Sequence, residues 1–378
     1  MIYYLYDTIF DLNILQYVTF RAAAAAITAL LISFLLGPKI IRTLHNHHIG
    51  ESIRENGPSS HYLKEGTPTM GGIIIVLSII LPTILWAKYD NVHSWIIIIS
   101  TLLMAIVGFI DDYLKIVKKV SKGLIARYKL MFQILVGLFI AFMILNYIEN
   151  PKIFMDLAKD EKPISISNTS ISLPFIMNGF MIIPKWVYVI LIVTVIMATS
   201  NSVNLTDGLD GLATGLSAIS ILTMGAIAYA SGRSDFSDYL NILYIRGADE
   251  LLIFSFAAIG ACLGFLWYNS YPASVFMGDT GSLALGTALG TLAILLRKEI
   301  LLIIIGGVFV IESISVIIQV LYFKYTKKKY GEGRKIFLMA PIHHHFEEKG
   351  LSESKVVIRF WIIGILLALF SLSSFKLQ

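Results

Sequence analysis

Residues 93–115, HSWIIIISTLLMAIVGFIDDYLK, join a long apolar run to a pair of adjacent aspartates. A helix needs about 17 apolar residues or more to cross roughly 30 Å of hydrocarbon, and this run is long enough. Asp111 and Asp112 follow at the point where the helix would leave the membrane, although two neighbouring carboxylates repel one another. The stretch therefore predicts a membrane-spanning helix that ends in a functional acidic site.

The same apolar pattern recurs along the whole chain. Of its 378 residues, 56% are hydrophobic and 15% are charged, whereas a soluble domain has roughly 25% charged residues. The connections between apolar runs are too short to form an independent core, so we expect one polytopic membrane domain over residues 1–378. The sequence predicts an all-α integral membrane protein with about ten transmembrane helices, at residues 20–41, 71–88, 93–110, 130–148, 186–202, 211–231, 250–268, 282–296, 300–323 and 357–375.

Lysine and arginine are concentrated in the loops after the first, third and ninth predicted spans. Positive residues favour the cytoplasmic side, so loops after odd-numbered spans should be cytoplasmic and both termini extracytoplasmic. The net charge of +5 then reflects orientation. Since no nucleic-acid-binding motif accompanies it, we expect no nucleic-acid partner. The predicted cytoplasmic loops lie near residues 42–70, 111–129, 203–210, 269–281 and 324–356.

Each of these five loops contains a dense polar or glycine-rich motif. Besides the aspartate pair, the motifs are KEGTPTMGG at 64–72, NSVNLTDGLDGLATG at 201–215, WYNSYPASVFMGDTGS at 267–282 and PIHHHFEEKG at 341–350. We recognise no such motif in the extracytoplasmic loops. Residues that are far apart in sequence can therefore meet on the cytoplasmic face of the helix bundle, and we expect the active site there.

The polar residues of these motifs offer oxygen ligands and positive charges, and no sulfur. Carboxylate and amide oxygens suit a hard cation, and Mg²⁺ typically binds through one or two carboxylates plus substrate phosphates. Lysines can hold phosphate oxygens as point charges. The combination fits phosphoryl transfer, in which cations offset the charge on the transferred group. The residues concerned are Lys64, Asp111, Asp112, Lys115, Lys129, Asn204, Asp207, Asp210 and Asp279.

Each motif alone also has an ordinary structural interpretation. Asn204 or Asp207 is able to cap the next helix, and Asp279 is able to cap a turn. Phe276 is by default a packing residue. The triple histidine His343–His345 is compatible with an exposed loop or a zinc site, but consecutive residues cannot easily all reach one ion. Hydrogen bonding to phosphate or substrate is therefore the favoured role for these histidines.

Two polar residues, Glu312 and Gln319, lie seven apart on one face of the ninth predicted span. Polar residues inside a membrane indicate a functional or helix-pairing role. Buried acids also line ion paths, so a proton-coupled transporter is an alternative from another class. A transporter predicts polar residues near mid-span and often an internal repeat. Here the polar motifs are concentrated at one membrane face, which favours an enzyme.

Five ordered motifs, GTPTMGG, GFIDDYLK, NLTDGLDGLA, FMGDTGSLALG and PIHHHFE, resemble the signature set of the phospho-N-acetylmuramoyl-pentapeptide transferases. This family belongs to the polyprenyl-phosphate N-acetylhexosamine-1-phosphate transferase superfamily. The resemblance implies Mg²⁺-dependent transfer of phospho-N-acetylmuramoyl-pentapeptide from its UDP donor to undecaprenyl phosphate, giving UMP and the first lipid intermediate of peptidoglycan synthesis. It also implies a homodimer in the bacterial cytoplasmic (inner) membrane. A sister enzyme that transfers N-acetylglucosamine-1-phosphate would share the aspartates, but PIHHHFE favours the muramoyl-pentapeptide type.

The resemblance also implies roles for individual residues. Asp279 would bind the magnesium ion, and Asp111 and Asp112 would deprotonate or orient the lipid phosphate. His343 would act at a phosphate, and Phe276 would stack on the uracil. Direct attack of the lipid phosphate is favoured, and a two-step route through an aspartyl-phosphate stays open. The remaining residues implied in nucleotide, metal or substrate binding are Lys64, Lys129, Asn204, Asp207, Asp210, Asn269, Gln319, His344 and His345.

Overall fold

The computed structural model describes residues 2–4, 13–46, 66–120, 123–154, 163–176 and 179–377, and it is predominantly helical. Four short strands, β1 to β4, are Lys152–Ile153, Ile164–Ser165, Ser170–Ser172 and Phe180–Ile182. The α-helices, α1 to α13, are Val18–Asn46, Gly72–Trp86, Val92–Ile116, Ala126–Tyr147, Lys185–Thr206, Leu212–Ser231, Ser234–Tyr239, Leu251–Asn269, Gly278–Leu295, Glu299–Ile305, Gly307–Tyr330, Ile342–Glu348 and Glu353–Ser373. Short 3₁₀ turns cover Asn13–Gln16, Ala248–Glu250 and Ser374–Leu377.

Eight helical segments of the described residues are long and apolar enough to cross a membrane: α1, α3, α4, α5, α6, α8 with the 3₁₀ turn before it, α11 and α13. Helix α2 is also apolar but has only 15 residues. Each of the ten predicted segments coincides with helix, so the all-α membrane class is confirmed apart from the four short strands. The prediction of one continuous helix at 300–323 was wrong, because α10 ends at Ile305 and α11 begins at Gly307.

Helix α9 lies at the centre of the bundle. Every residue from Thr280 to Leu295 is buried, and the helix packs against α2, α3, α5 and α6. Small residues permit this close approach, as at helix contacts in membranes. A methyl group on Gly72 of α2 would lie 2.1 Å from the backbone nitrogen of Gly281, and one on Gly286 would lie 2.6 Å from the carbonyl oxygen of Thr199. The backbones therefore touch directly and fix the position of α9.

The connection between α4 and α5 forms two antiparallel strand pairs, β1 with β2 and β3 with β4. The second pair is attached to the far end of α9 through Arg297, whose side chain is 1% exposed. The carbonyl oxygen of Arg297 accepts a hydrogen bond from the Ser172 amide at 3.1 Å, and its guanidinium donates to Asn168 Oδ1 at 3.3 Å and contacts the Tyr188 hydroxyl. This connection is consequently packed against the bundle.

A buried ion pair joins the beginnings of α1 and α8. Arg21 donates two hydrogen bonds to the carboxylate of Glu250, at 2.8 and 2.5 Å, and the two side chains are 1% and 2% exposed. Arg21 also donates to the carbonyl oxygen of Trp86 at 3.1 Å, and the Lys88 amide donates to Glu250 at 3.1 Å. The pair therefore ties α1, the end of α2 and α8 together.

We expect Arg21→Met to lower the free energy of unfolding by about 3–5 kcal/mol, because it leaves the Glu250 carboxylate buried without its guanidinium partner. Thermal unfolding of detergent-purified protein would measure the loss. The double variant Arg21→Met/Glu250→Met should recover much of it. The control is Arg246→Met, which removes one partner of an exposed pair with Glu149 and should change stability by less than about 1 kcal/mol. Equal unfolding temperatures for Arg21→Met and the wild type would contradict the prediction.

Candidate active site

The carboxylate of Asp279 lies in the first turn of α9 and is contacted from three other helices. Lys129 of α4 donates to its Oδ2 at 2.5 Å, and Lys115 of α3 donates to the same oxygen at 3.1 Å. Asn204, in the last turn of α5, donates to Oδ1 at 2.8 Å and to Ser282 at 2.9 Å. Residues of three motifs and four helices thus meet at one carboxylate, as the position of the motifs on one membrane face predicts.

Asp111 shares both lysines with Asp279. Its Oδ2 lies 2.9 Å from Lys129 Nζ and in close contact with Lys115 Nζ, four residues further along α3. Its Oδ1 accepts a hydrogen bond from the Leu124 amide at 2.7 Å, in the loop between α3 and α4. Two ammonium groups therefore bridge two carboxylates, which keeps these acidic side chains together despite their like charge.

Asp112 points to the beginning of α9. Its Oδ1 accepts a hydrogen bond from the Asp279 amide at 3.1 Å, and its Oδ2 accepts from the Thr280 amide at 2.9 Å and the Thr280 hydroxyl at 2.7 Å. The amides at a helix start have no partner within the helix, so a carboxylate there also interacts favourably with the helix dipole. Gly278, with φ of +73°, provides the turn into α9. The adjacent aspartates consequently have different partners: Asp111 pairs with the two lysines, and Asp112 accepts hydrogen bonds from the first turn of α9.

The surroundings of Asp279 keep its carboxylate ionised. Burial alone would raise its pKa. The positive charges of Lys129 and Lys115 outweigh burial, and they hold the pKa of Asp279 well below its usual range. Asp279 is therefore an anion at neutral pH and is ready to bind a cation or to keep the two ammonium groups in place.

The three carboxylates also fit a divalent cation. One oxygen from each of Asp111, Asp112 and Asp279 lies within 4.8 Å of the others. Carboxylate oxygens without sulfur or imidazole suit hard cations such as Mg²⁺. Lys115 and Lys129 at the same oxygens supply positive charge that is able to contact substrate phosphates.

The histidine triple lies in helix α12, against the turn after α5. A methyl group on Gly208 would lie 2.4 Å from His343 Nε2 and 3.4 Å from His344 Nε2, so this turn packs directly on both rings. His344 Nδ1 lies 2.8 Å from Glu347, and His345 Nδ1 accepts a hydrogen bond from the Leu338 amide at 3.1 Å. The three rings have separate partners, which agrees with the argument against their joint chelation of one ion.

Asp210 and Asn269 hold the turn after α5 to the loop before α9. Asp210 Oδ2 accepts a hydrogen bond from the Ala273 amide at 2.9 Å. Asn269 is 3% exposed; its Oδ1 accepts from the Gly211 amide and the Thr214 hydroxyl, both at 3.1 Å, and its Nδ2 donates to Val275 at 2.9 Å. The amide of Asn269 is thus occupied by the protein, which favours a supporting role over direct contact with a nucleoside.

The other predicted binding residues have different surroundings. Phe276 is half-buried, and its backbone bonds to Pro68 and Gly71, both at 2.8 Å, so the 64–72 motif pairs with the loop before α9. Gln319 accepts hydrogen bonds from the Ile336 and Phe337 amides at 3.0 Å and so holds the loop after α11. Asp207 ends α5. Lys64 lies outside the described residues.

Two site residues were missed by the sequence reasoning. Thr280 bonds to Asp112 through both its amide and its hydroxyl; its place directly after Asp279 in FMGDTG was the available signal. The sequence offers no comparable signal for Glu353, because an acidic residue in the first turn of a helix is common. Its Oε1 accepts a hydrogen bond from the Asp210 amide at 2.7 Å and so links α13 to the turn that contacts the histidines.

Comparison with known proteins agrees with this arrangement. Residues 94–297 match Glycosyl transferase family 4, and residues 64–76 match the phospho-N-acetylmuramoyl-pentapeptide-transferase signature 1. Proteins of Chlorobium phaeobacteroides (strain BS1) and Chloroherpeton thalassium, both named phospho-N-acetylmuramoyl-pentapeptide-transferase, are 46% and 48% identical over 100% of both chains. The chain belongs to the phospho-N-acetylmuramoyl-pentapeptide-transferase family. A member from Flavobacterium johnsoniae is 43% identical, again over 100% of both chains.

The match to Glycosyl transferase family 4 includes the acidic cluster and both bridging lysines but ends before α12. The residues described above form two groups. One is the carboxylate and lysine cluster of α3, α4 and α9, and the other is the histidine helix α12 with the turn after α5.

Proposed function

We propose that the protein transfers phospho-N-acetylmuramoyl-pentapeptide from its UDP donor to undecaprenyl phosphate. In this reaction an oxygen of the lipid phosphate attacks the phosphorus bonded to the sugar, and the bond between the two phosphates of the donor breaks. The products are UMP and undecaprenyl-diphospho-N-acetylmuramoyl-pentapeptide. The observation that carries the proposal is the cluster of Asp111, Asp112, Asp279, Lys115 and Lys129 in a chain of this family.

The proposal includes a membrane arrangement. The whole chain, residues 1–378, forms one polytopic domain of the bacterial cytoplasmic (inner) membrane, with ten spans and both termini extracytoplasmic. The active site then faces the cytoplasm, where the soluble nucleotide donor is present. Eight apolar helices and the distribution of lysine and arginine support this arrangement. We propose further that the protein is a homodimer.

The acidic cluster would bind one Mg²⁺ ion, with Asp279 as its principal ligand. The ion, when bound, offsets negative charge on the diphosphate of the donor. Lys115 and Lys129 act in the same direction, because their ammonium groups lie within 3.1 Å of Asp279 Oδ2 and are able to contact phosphate oxygens. The positive charges of Lys115, Lys129 and a bound Mg²⁺ ion would favour binding of the two anionic substrates next to each other.

Asp111 and Asp112 have different roles in this proposal. The Asp111 carboxylate is placed to orient the phosphate or to take its proton, since it shares both lysines with Asp279. Asp112 acts through α9: its three hydrogen bonds to Asp279 and Thr280 hold the metal-binding carboxylate at the helix start. Direct displacement needs no covalent intermediate on either residue, and we favour it.

The nucleotide would lie between the acidic cluster and the histidine helix. Phe276 stacks on the uracil, and His343 acts at a phosphate through the turn after α5, on which its ring packs. Asn204 holds Asp279 directly, at 2.8 Å. Asp210 and Asn269 keep the two loops of the pocket together. The further contacts in this proposal are Lys64, Asp207, Gln319, His344 and His345.

The test is UMP release by detergent-purified protein with UDP-N-acetylmuramoyl-pentapeptide, undecaprenyl phosphate and Mg²⁺. We expect release to need both substrates and to stop in excess EDTA, because chelation removes the cation that offsets charge on the diphosphate. Added Mg²⁺ beyond the chelator should restore it. Release only with UDP-N-acetylglucosamine would favour the sister enzyme, and undiminished release in EDTA would contradict the metal requirement.

A further inference from the structure

Glu312 is a buried acid that the proposed reaction does not use. It lies on the inner face of α11 with 0% exposure, whereas its neighbour Ile311 on the same helix is 48% exposed. A buried carboxylate is costly unless a partner compensates it. Among the described residues, the charged or titratable partner of Glu312 is His343, whose Nδ1 lies 3.0 Å from Glu312 Oε2. His343 is also fully buried.

The His343 ring is held between two different surfaces. Its Nδ1 edge faces the carboxylate of Glu312, and its Nε2 edge faces the backbone of Gly208, where a methyl group would lie only 2.4 Å from Nε2. The Nδ1 contact is close but not aligned as a hydrogen bond. Reversing the ring would place carbon beside the carboxylate, so the acid determines which nitrogen faces the Gly208 turn.

We infer that Glu312 is a positioning residue that orients His343, with Nδ1 toward the carboxylate and Nε2 toward the turn that contains Asp207 and Asp210. Carboxylates that accept a hydrogen bond from metal-bound histidines fix the tautomer and orientation of the ring, and losing such a partner typically costs about 10- to 100-fold in metal affinity or activity. Glu312 itself touches no reacting group in this arrangement. The inference rests on the proposed function, since that function places His343 at a substrate phosphate.

A double-mutant cycle tests the effect of Glu312 on turnover. Glu312→Gln should lower kcat for UMP release about 10- to 100-fold, with KM for the nucleotide donor nearly unchanged. Glu312→Asp, which keeps the charge, should recover part of the loss. In a His343→Gln background, Glu312→Gln should cause no further loss, because the group that it orients is gone. Losses that add in the double variant would overturn the inference.

The control is Ser315→Ala, on the same buried face of α11. Its hydroxyl donates to the Glu312 carbonyl oxygen at 2.6 Å, so the change disturbs the helix near Glu312 without altering the carboxylate. We expect wild-type kcat and a similar unfolding temperature. If Ser315→Ala lowered kcat as much as Glu312→Gln, the effect would come from helix packing and the positioning role would fail.

A second readout does not depend on turnover. In protein labelled with ¹⁵N-histidine, NMR distinguishes a proton on Nδ1 from one on Nε2, and the His343 signals are those lost in His343→Gln. Glu312→Gln should shift them and Ser315→Ala should not. Unchanged signals in Glu312→Gln would overturn the inference, whatever the turnover. If Glu312→Gln shifts the His343 signals but the wild-type protein releases no UMP, the orienting role of Glu312 is supported and the proposed function is refuted.

Discussion

Asp279→Asn is expected to lower kcat for UMP release about 1000-fold or more, the loss typical of removing a key electrostatic group from an active site. The change keeps the size of the side chain and an oxygen that can accept the Asn204 hydrogen bond. It removes the negative charge that Lys115 and Lys129 share. The variant therefore loses the proposed metal ligand and one of the two anions that hold the lysines in place.

The comparison variant is Asp235→Asn, in the short helix α7. Asp235 is 58% exposed and pairs with Arg233 at 2.7 Å, so its loss should leave kcat within about twofold, as surface substitutions usually have small effects. Thermal unfolding should confirm that both variants are folded. Wild-type release of UMP by folded Asp279→Asn would refute the assignment of this cluster as the active site.

Gly108→Ala is expected to lower kcat about 100-fold by moving Asp279. A methyl group on Gly108 would lie 2.2 Å from the carbonyl oxygen of Asp279 and 2.6 Å from the Thr280 nitrogen. These are backbone atoms at the start of α9, so the helix must shift to relieve the contact. A displacement near 1 Å at a catalytic group can cost about 100-fold in rate.

Gly364→Ala is the matched control, because it makes the same change inside another helix, α13. There a methyl group would meet the end of the Leu216 side chain at 2.9 Å and Ile219 at 3.8 Å, and both side chains can rotate. We expect turnover near that of the wild type. Full turnover in Gly108→Ala would mean that the start of α9 can move without loss of function, contrary to the close backbone contact.

The apolar segments and the acidic cluster could be predicted from sequence because their signals are local. The length of each apolar run indicates a helix, and the placement of the polar motifs after alternate runs predicts that Asp111, Asp112 and Asp279 come together. The hydrogen bonds of Asp112 could not be predicted, since they join residues 167 and 168 positions apart. The same reason applies to Asn269, whose side-chain oxygen accepts hydrogen bonds from Gly211 and Thr214, 58 and 55 positions away.

The break at Gly306 was equally hidden from the sequence reasoning. Glycine pairs occur inside membrane helices as well as at their ends, so the dipeptide Gly306–Gly307 within an apolar run does not indicate a break by itself. The buried pair of Glu312 and His343 also depends on this geometry, because α11 must bring Glu312 against α12. The sequence placed Glu312 inside an apolar span and His343 in a loop motif, and their contact is seen only in the folded chain.

The burial of α9 has a consequence for motion during the reaction. Residues Thr280 to Leu295 are all buried and are surrounded by helices, so their amides should be among the slowest in the protein to exchange with deuterium. Asp279 lies in the first turn of this helix. The carboxylate that we propose to bind the metal would then stay fixed during turnover, and substrates would have to adjust their position to it.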